Sequence, residues 1–379
     1  MLNISTILKS PELTTLFETF LKAGSEVRLV GGCVRDSLLG LQIGDIDMAV
    51  NVPPLRAKEI LETAGIKVIP TGIDHGTITA IIHKIPFQIT SLRQDWKTNG
   101  RHAQVVFGTD WLADAKRRDF TMNAIYLDGC GNLYDPLQGQ VDLEKGIVRF
   151  IGDPFQRIQE DYLRILRYYR FLAYYGKGGP LKISELKTLK DGLTRLSAER
   201  VQGEVLKLLN AENPLPALTL MKEDGVFETV FGKDVSFEQL TLLIEREKRF
   251  FVPPFSWRRF YALFQNQPVI LLSNRQKEYL KNLHQALSED DPRRVYYFYG
   301  KDLTCDWGLF RDSCEETLAW LHGQPAHTFP LKGQDLLGAG VPVGPAVGDL
   351  LKKAEAFWIS KDFLPDKDAC LQYCLKLDV

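Results

Sequence analysis

No apolar run in the 379-residue chain approaches the roughly 18 residues that a membrane span requires. The longest comparable stretch is Pro268-Val269-Ile270-Leu271-Leu272. Cysteine is sparse, at Cys33, Cys130, Cys305, Cys314, Cys370 and Cys374, with no CxxC pair. That scatter excludes a thiolate zinc site of ordinary spacing. It is the usage of a reduced, intracellular protein. The first twenty residues lack a basic leader and carry Glu12 and Glu18, so no secretory signal or Arg-rich transit peptide is expected. Internal repeats and low-complexity tracts are missing too. With 45% hydrophobic and 25% charged residues, long disorder is not expected. Net charge is nearly absent: 47 Lys and Arg face 48 Asp and Glu. That balance argues against a protein that coats nucleic acid indiscriminately.

The charge is nevertheless segregated. Residues 1–150 carry 16 basic and 17 acidic side chains, residues 151–300 carry 23 and 19, and residues 301–379 carry 8 and 12. A polyanion would therefore lie along the middle third.

Residues 1–23 form an amphipathic pattern with Ile4, Leu8, Leu13, Leu16, Phe17 and Leu21 on its apolar side. Short β-rich runs follow at 27–30, 46–50, 77–83, 86–92, 105–107 and 124–127, the third and fourth forming a hairpin about Lys84-Ile85. A helix is expected at 55–64, after Pro53-Pro54. Residues 24–150 thus form an α/β unit of about five strands. Beyond Asp153-Pro154 the period turns helical: 155–175, 183–193, 198–209 and 215–224, with helical patterning from 237 onward.

Four stretches carry chemistry. In Leu29-Val30-Gly31-Gly32-Cys33-Val34-Arg35-Asp36 a strand runs through paired glycines into a helix, which lets backbone N–H groups approach a phosphate, with Arg35 in reach. Alone, the glycines are equally a tight turn. Asp45 and Asp47, two apart on a strand, share a face. Paired carboxylates repel unless a cation neutralises them, and Mg²⁺ takes a few carboxylates plus substrate phosphate oxygens. The alternative is a solvated pair at a strand end. Lys116-Arg117-Arg118-Asp119-Phe120-Thr121-Met122-Asn123-Ala124 closes a helix with cations, which often only complement its dipole. Between 155 and 175, Asp161, Arg164, Arg167 and Arg170 recur every three residues as one charged row, with Glu160 placed to pin Arg164; a salt-bridged surface is the ordinary meaning of such a row. Ser197-Ala198-Glu199-Arg200-Val201-Gln202-Gly203-Glu204 reads as a capped supporting helix.

Together, in this order, these stretches resemble the motifs of class II tRNA nucleotidyltransferases, the CCA-adding enzymes of the tRNA nucleotidyltransferase/poly(A) polymerase family. The match covers about 24–210, with Met122 where the family commonly has Ile. The resemblance implies an α+β fold: a small mixed-sheet, polymerase β-like nucleotidyltransferase head (1–150), a helical neck with the base-reading helix (151–220), a helical body (221–300) and a helical tail (301–379). It implies that Gly31, Gly32 and Arg35 hold the incoming triphosphate and that Asp45 and Asp47 bind Mg²⁺. Arg118 would touch the nucleotide and Asp119 its ribose hydroxyl, while Glu160, Asp161 and Arg164 form the base-reading motif and Arg167 and Arg170 meet phosphates.

The chemistry of that motif fits C and A. Arg offers only donors and carboxylate only acceptors, so Asp161 can accept an exocyclic amine while Arg164 donates to the ring. Uracil and guanine put a carbonyl opposite the carboxylate. The segment 91–103 corresponds to the family's mobile loop and, being of full length, favours full CCA synthesis; a plain hairpin connection is the other meaning. The implied function is untemplated addition of C, C and A to tRNA 3′ ends from CTP and ATP, in the cytoplasm or an organelle, with no membrane partner. Poly(A) synthesis, CC-only or A-only addition, a catalytically dead tRNA-binding protein, and transfer to a small molecule such as an antibiotic are the competing functions. The absence of any His-Asp dipeptide argues against the phosphohydrolase domain of some relatives. Arg293, Arg294, Tyr296, Tyr297 and Tyr299 mix cations and aromatics as RNA surfaces do, though a salt-bridged helix edge is the commoner meaning.

Overall fold

A computed structural model describes residues 7–377 except 100, 101, 178, 180, 182, 266, 268 and 324–326, and of residues 94–99 and 102–106 the backbone alone. The chain divides into two compact units, Met1–Asp234 and Val235–Val379. In the first, α1 (Pro11–Lys22) leads to β1 (Val27–Val30), α2 (Gly32–Leu38), β2 (Asp47–Val50), α3 (Pro54–Thr63), β3 (Lys67–Gly72), β4 (Thr77–Ile82) and β5 (Ile85–Ser91). Then come β6 (Arg93–Asn99), β7 (His102–Phe107), α4 (Trp111–Arg117), β8 (Tyr126–Leu127), β9 (Leu133–Tyr134) and α5 (Gly139–Lys145). Helices α6 (Pro154–Glu160), α7 (Leu163–Tyr175), α8 (Ser184–Thr188), α9 (Ala198–Leu209), α10 (Leu215–Glu223) and α11 (Val226–Phe231) complete it.

Seven strands form one mixed sheet in the order β3-β4-β5-β2-β1-β8-β9. Only the β2–β5 pair among them is parallel, with Asp47 opposite Gln88. The β4–β5 turn places His83 and Lys84 at positive φ, the backbone that matches the twist of a two-residue hairpin. More strands are present than the five expected. The additional β3 contains Pro70 and exposes most of its residues, as an edge strand does, so it lacks the apolar signal. Strands β6 and β7 pair as a separate ribbon, the hairpin alternative for 91–103, with the strand expected at 105–107 inside β7. The mobility expected of 91–103 falls partly on residues 100 and 101, outside the described residues. In α1 the buried side is Leu13, Leu16 and Phe20, whereas Leu21 is 76% exposed, contrary to the expected pattern.

Two cores position the site. Val30, Ala49, Trp111, Ala115 and Tyr126 pack as one cluster beneath β1 and β2. Phe120 joins the segment after α4 to α7, its ring centroid 4.9 Å from that of Phe150 and 5.1 Å from that of Phe171. Each such buried ring contributes roughly 1.5–3 kcal/mol.

The single helix expected at 155–175 is interrupted. Asp161 is extended (φ −154°, ψ 103°), and its carboxylate accepts the Leu163 N–H at 3.1 Å. The Tyr162 ring lies on Gly192, where a Cβ would come within 1.9 Å of it. Side-chain capping by Asp and this close packing override the helical period. Residues 183–193, also expected as one helix, divide into α8 and a 3₁₀ turn, Lys190–Arg195.

Among the described residues of the second unit the regular elements are all helices: α12 (Glu238–Arg249), α13 (Ser256–Phe264), α14 (Asn274–Ala286), α15 (Pro292–Leu309), α16 (Cys314–Gly323), α17 (Gly333–Gly338), α18 (Pro345–Ser360) and α19 (Lys367–Leu377). Helix α15 kinks at Gly300, at φ 80° and ψ 176°. Its cation–aromatic stretch is a salt-bridged edge: Arg293 bonds Asp291 and Asp362, Arg294 pairs with Glu289, and Tyr297 donates to Glu355. No described helix is long and apolar enough to cross a membrane.

Candidate active site

Helix α2 begins from Gly31, whose φ of 77° and ψ of −128° only glycine adopts without strain. A side chain there would sit 3.8 Å from Arg118 Nη1, so the guanidinium lies over the turn. The Cys33 Sγ lies 3.4 Å from the Val30 carbonyl and 3.6 Å from the Asp47 carbonyl, so its one proton can go to either, between the glycine turn and β2.

Asp47 opens β2, and Asp45 lies two residues ahead of the strand rather than within it. Their proximity persists. Burial raises the Asp47 carboxyl above its ordinary value; Arg118 pulls the other way, and the Asp45 charge adds to the rise. Two adjoining carboxylates with a penalised charge make a hard-oxygen donor set that fits Mg²⁺. Among the described residues, no group of three or more His, Cys, Asp or Glu side chains gathers as a metal site.

Arg118 is fixed by Asp114 on α4, a residue with no exposed surface. Asp114 Oδ2 accepts Arg118 Nη2 at 3.0 Å and the Tyr126 hydroxyl at 2.7 Å, while Oδ1 accepts Arg117 Nε at 2.9 Å. Burial alone would raise the Asp114 carboxyl, but the two cations and the hydroxyl hold it below its ordinary range. Arg157 clamps the same segment from α6, donating to the carbonyls of Arg117 and Arg118 at 2.5 and 2.6 Å.

Asp119 is saturated with donors. Oδ1 accepts the Phe120 N–H at 2.8 Å and the Asn123 amide at 2.9 Å; Oδ2 accepts Arg167 Nε at 2.8 Å and Nη2 at 2.5 Å. Against the effect of burial, these partners, Arg167 foremost, keep the carboxyl below its ordinary range.

The structure brings the remaining expected residues into the same first unit, with partners the sequence left open. Arg35 is turned inward, donating to Asp36 at 2.9 and 3.0 Å and to Asn123 at 2.7 Å. Arg170 donates to Glu204 at 2.6 Å, and Arg164 to Glu160 at 2.6 Å and to the Arg157 carbonyl at 2.5 Å. The Glu160–Arg164 contact is the one the spacing anticipated. Asp161 does not share the row of Arg164, Arg167 and Arg170; the helix break turns it toward Arg200, 2.8 Å from its Oδ2. Ser197 takes the N-cap position of α9 without the expected capping hydrogen bond.

Asp114, Asn123, Tyr126, Arg157, Arg200 and Glu204 were not assigned to the site from sequence. Asp114 had a signal: it precedes Arg117 and Arg118 by three and four residues, the spacing of facing helix partners. Asn123 had one too, since it closes the Arg117-Arg118-Asp119 stretch four residues after Asp119; Tyr126, Arg157, Arg200 and Glu204 depend on contacts across the chain that no local pattern reveals.

The Poly A polymerase head domain profile matches residues 27–149. That of the probable RNA and SrmB- binding site of polymerase A matches 183–236. Mitochondrial CCA tRNA nucleotidyltransferase 1 of Homo sapiens is 34% identical, over 97% of this chain and 93% of the human protein. The chain belongs to the CCA tRNA nucleotidyltransferase family. The Mus musculus member is 32% identical with the same coverage. The Bacillus stearothermophilus CCA-adding enzyme, solved with CTP, matches in fold with a TM-score of 0.74 at 24% identity, over 97% of this chain and 98% of that one. The likeness to CCA tRNA nucleotidyltransferases thus extends through the second unit, where the sequence had offered only a compatible helical pattern.

Proposed function

We propose that this chain adds C, C and A in turn to the 3′ end of tRNA, without a template, from CTP and ATP and with release of pyrophosphate. The observation that carries this reading is the convergence of Arg118, the Gly31 turn and Asp47 on one side of the head, beside the Asp119–Arg167 pair that leads into α7. Asp45 and Asp47 would hold Mg²⁺, which when bound neutralises the triphosphate and lowers the pKa of the attacking 3′-hydroxyl. Gly31, Gly32, Arg35 and Arg118 orient the phosphates. Arg118 keeps its full charge because its buried partner Asp114 compensates it. Asp119 reads the ribose, whose hydroxyl competes for an acceptor lone pair now used by Arg167. With Glu160 and Arg157 steadying Arg164, and Arg200 steadying Asp161, the Asp–Arg pair presents acceptors and donors to the base edge. Arg167 and Arg170 would meet phosphates by exchanging carboxylate partners.

The head, neck, body and tail division at 150, 220 and 300 and a cytoplasmic location belong to this proposal; all six cysteines are free thiols, as a reducing compartment leaves them. The test is Asp45→Ala and Asp47→Ala: each abolishes CTP transfer while end-trimmed tRNA still binds. Transfer at the wild-type rate by either variant would refute the metal-site assignment.

A further inference from the structure

Asn123 has no part in the chemistry above, yet it joins the two halves of the site. It is 6% exposed, and its Oδ1 accepts Arg35 Nη1 at 2.7 Å while its Nδ2 donates to Asp119 Oδ1 at 2.9 Å. A guanidinium only donates and an ionised carboxylate only accepts, so the amide can sit one way round. On one side lies an ion pair of the glycine-turn helix, Arg35 with Asp36; on the other lies Asp119 with Arg167 of α7. Tyr175 closes the ring from α7, its hydroxyl donating to Asp36 Oδ1 at 2.9 Å and its ring lying 4.3 Å from the Arg35 guanidinium. Arg167 and Tyr175 are eight residues apart on one helix, so that helix grips the head at both ends of the chain Asp36–Arg35–Asn123–Asp119. Remove the amide and two separate ion pairs remain, each stable alone but no longer in register.

We infer that Asn123 is a positioning residue, which sets the phosphate-side Arg35 and the ribose-side Asp119 in a single geometry and couples both to the base-reading helix. The inference rests on the nucleotidyl-transfer reading of this site. It assigns Asn123 neither substrate contact nor proton transfer.

The test uses the full chain with end-trimmed tRNA and CTP. Asn123→Ala keeps both ion pairs; the expected result is a loss of about tenfold or more in kcat/KM for CTP with tRNA binding unchanged, since misplacement of about 1 Å costs about a hundredfold in oriented reactions. Asn123→Asp keeps the acceptor for Arg35 but sets a second carboxylate against Asp119. Arg35 and Arg167 face that pair as cations, and Asp36, bonded to Arg35, and Glu204, 3.8 Å from Arg167, as anions. Two adjoining carboxylates share a proton, so the variant regains activity toward about pH 6 and loses it toward about pH 8.5 relative to wild type. An amide that only stabilised the fold would lower the melting temperature and leave kcat/KM of the folded enzyme unchanged. Wild-type kcat/KM in Asn123→Ala, or a wild-type pH profile in a folded Asn123→Asp, overturns the inference. Failure of the wild-type chain itself to transfer CTP would instead overturn the reading beneath it, and the wild-type arm separates the two.

Discussion

Replacing Asp114 with Ala strips a fully buried carboxylate from under two arginines and a tyrosine hydroxyl. Breaking a buried ion pair by deleting one partner costs about 3–5 kcal/mol. Arg117 and Arg118 keep 17% and 19% of their side chains exposed, so water recovers part of the loss and the low end, about 3 kcal/mol, applies. For a unit of this size each kcal/mol moves the melting temperature by about 2–4 °C, giving a fall of about 6–12 °C in calorimetry. Activity should fall as well, because Arg118 loses the support that aims it across Gly31 toward Asp47. Asp114→Asn keeps the shape and one acceptor, and should lie between Ala and wild type. A shift under about 2 °C with unchanged kcat/KM for CTP would refute the claim that Asp114 anchors Arg118.

Gly31→Ala forces a side chain into a left-handed backbone at a cost of about 1–3 kcal/mol. Its Cβ would be in ordinary contact with Arg118, 3.8 Å away, so strain rather than collision should depress kcat/KM for CTP; wild-type stability and activity would contradict this. Arg200→Gln frees Asp161 from a charged hydrogen bond worth about 1.5–3 kcal/mol. The ratio of CTP to UTP incorporation should drop by about tenfold, and an unchanged ratio would remove Arg200 from base selection. Asp47 has a folded-state pKa raised by burial and by Asp45, so the stability tied to its protonated form is present in acid and lost as pH rises through the folded value. Asp47→Asn should therefore melt higher than wild type above the ordinary carboxylate range in metal-free buffer, with the gap closing toward acid. Equal melting across that range would refute it.

Local signals carried much of the fold into the sequence. The strand at 27–30 and the helix at 198–209 lie where the periodicities put them, because their patterns are regular and their ends are marked. The break at Asp161 was hidden: it depends on Tyr162 meeting Gly192, thirty residues on, and periodicity continues through it. The site residues were legible as types and order. Their partners were not. Arg167 and Arg170 read as members of one charged row, salt-bridged or turned to phosphates, and their actual partners, Asp119 and Glu204, come from distant segments. Spacing along one helix reports which charges share a face, and only the fold decides what faces them.

The central claim is tested most directly by incubating the chain with tRNA lacking its last three nucleotides, CTP and ATP, and reading products at single-nucleotide resolution. The account predicts addition of C, C and A followed by arrest, with UTP and GTP refused. A long adenylate tract, or UTP incorporated as readily as CTP, would contradict it.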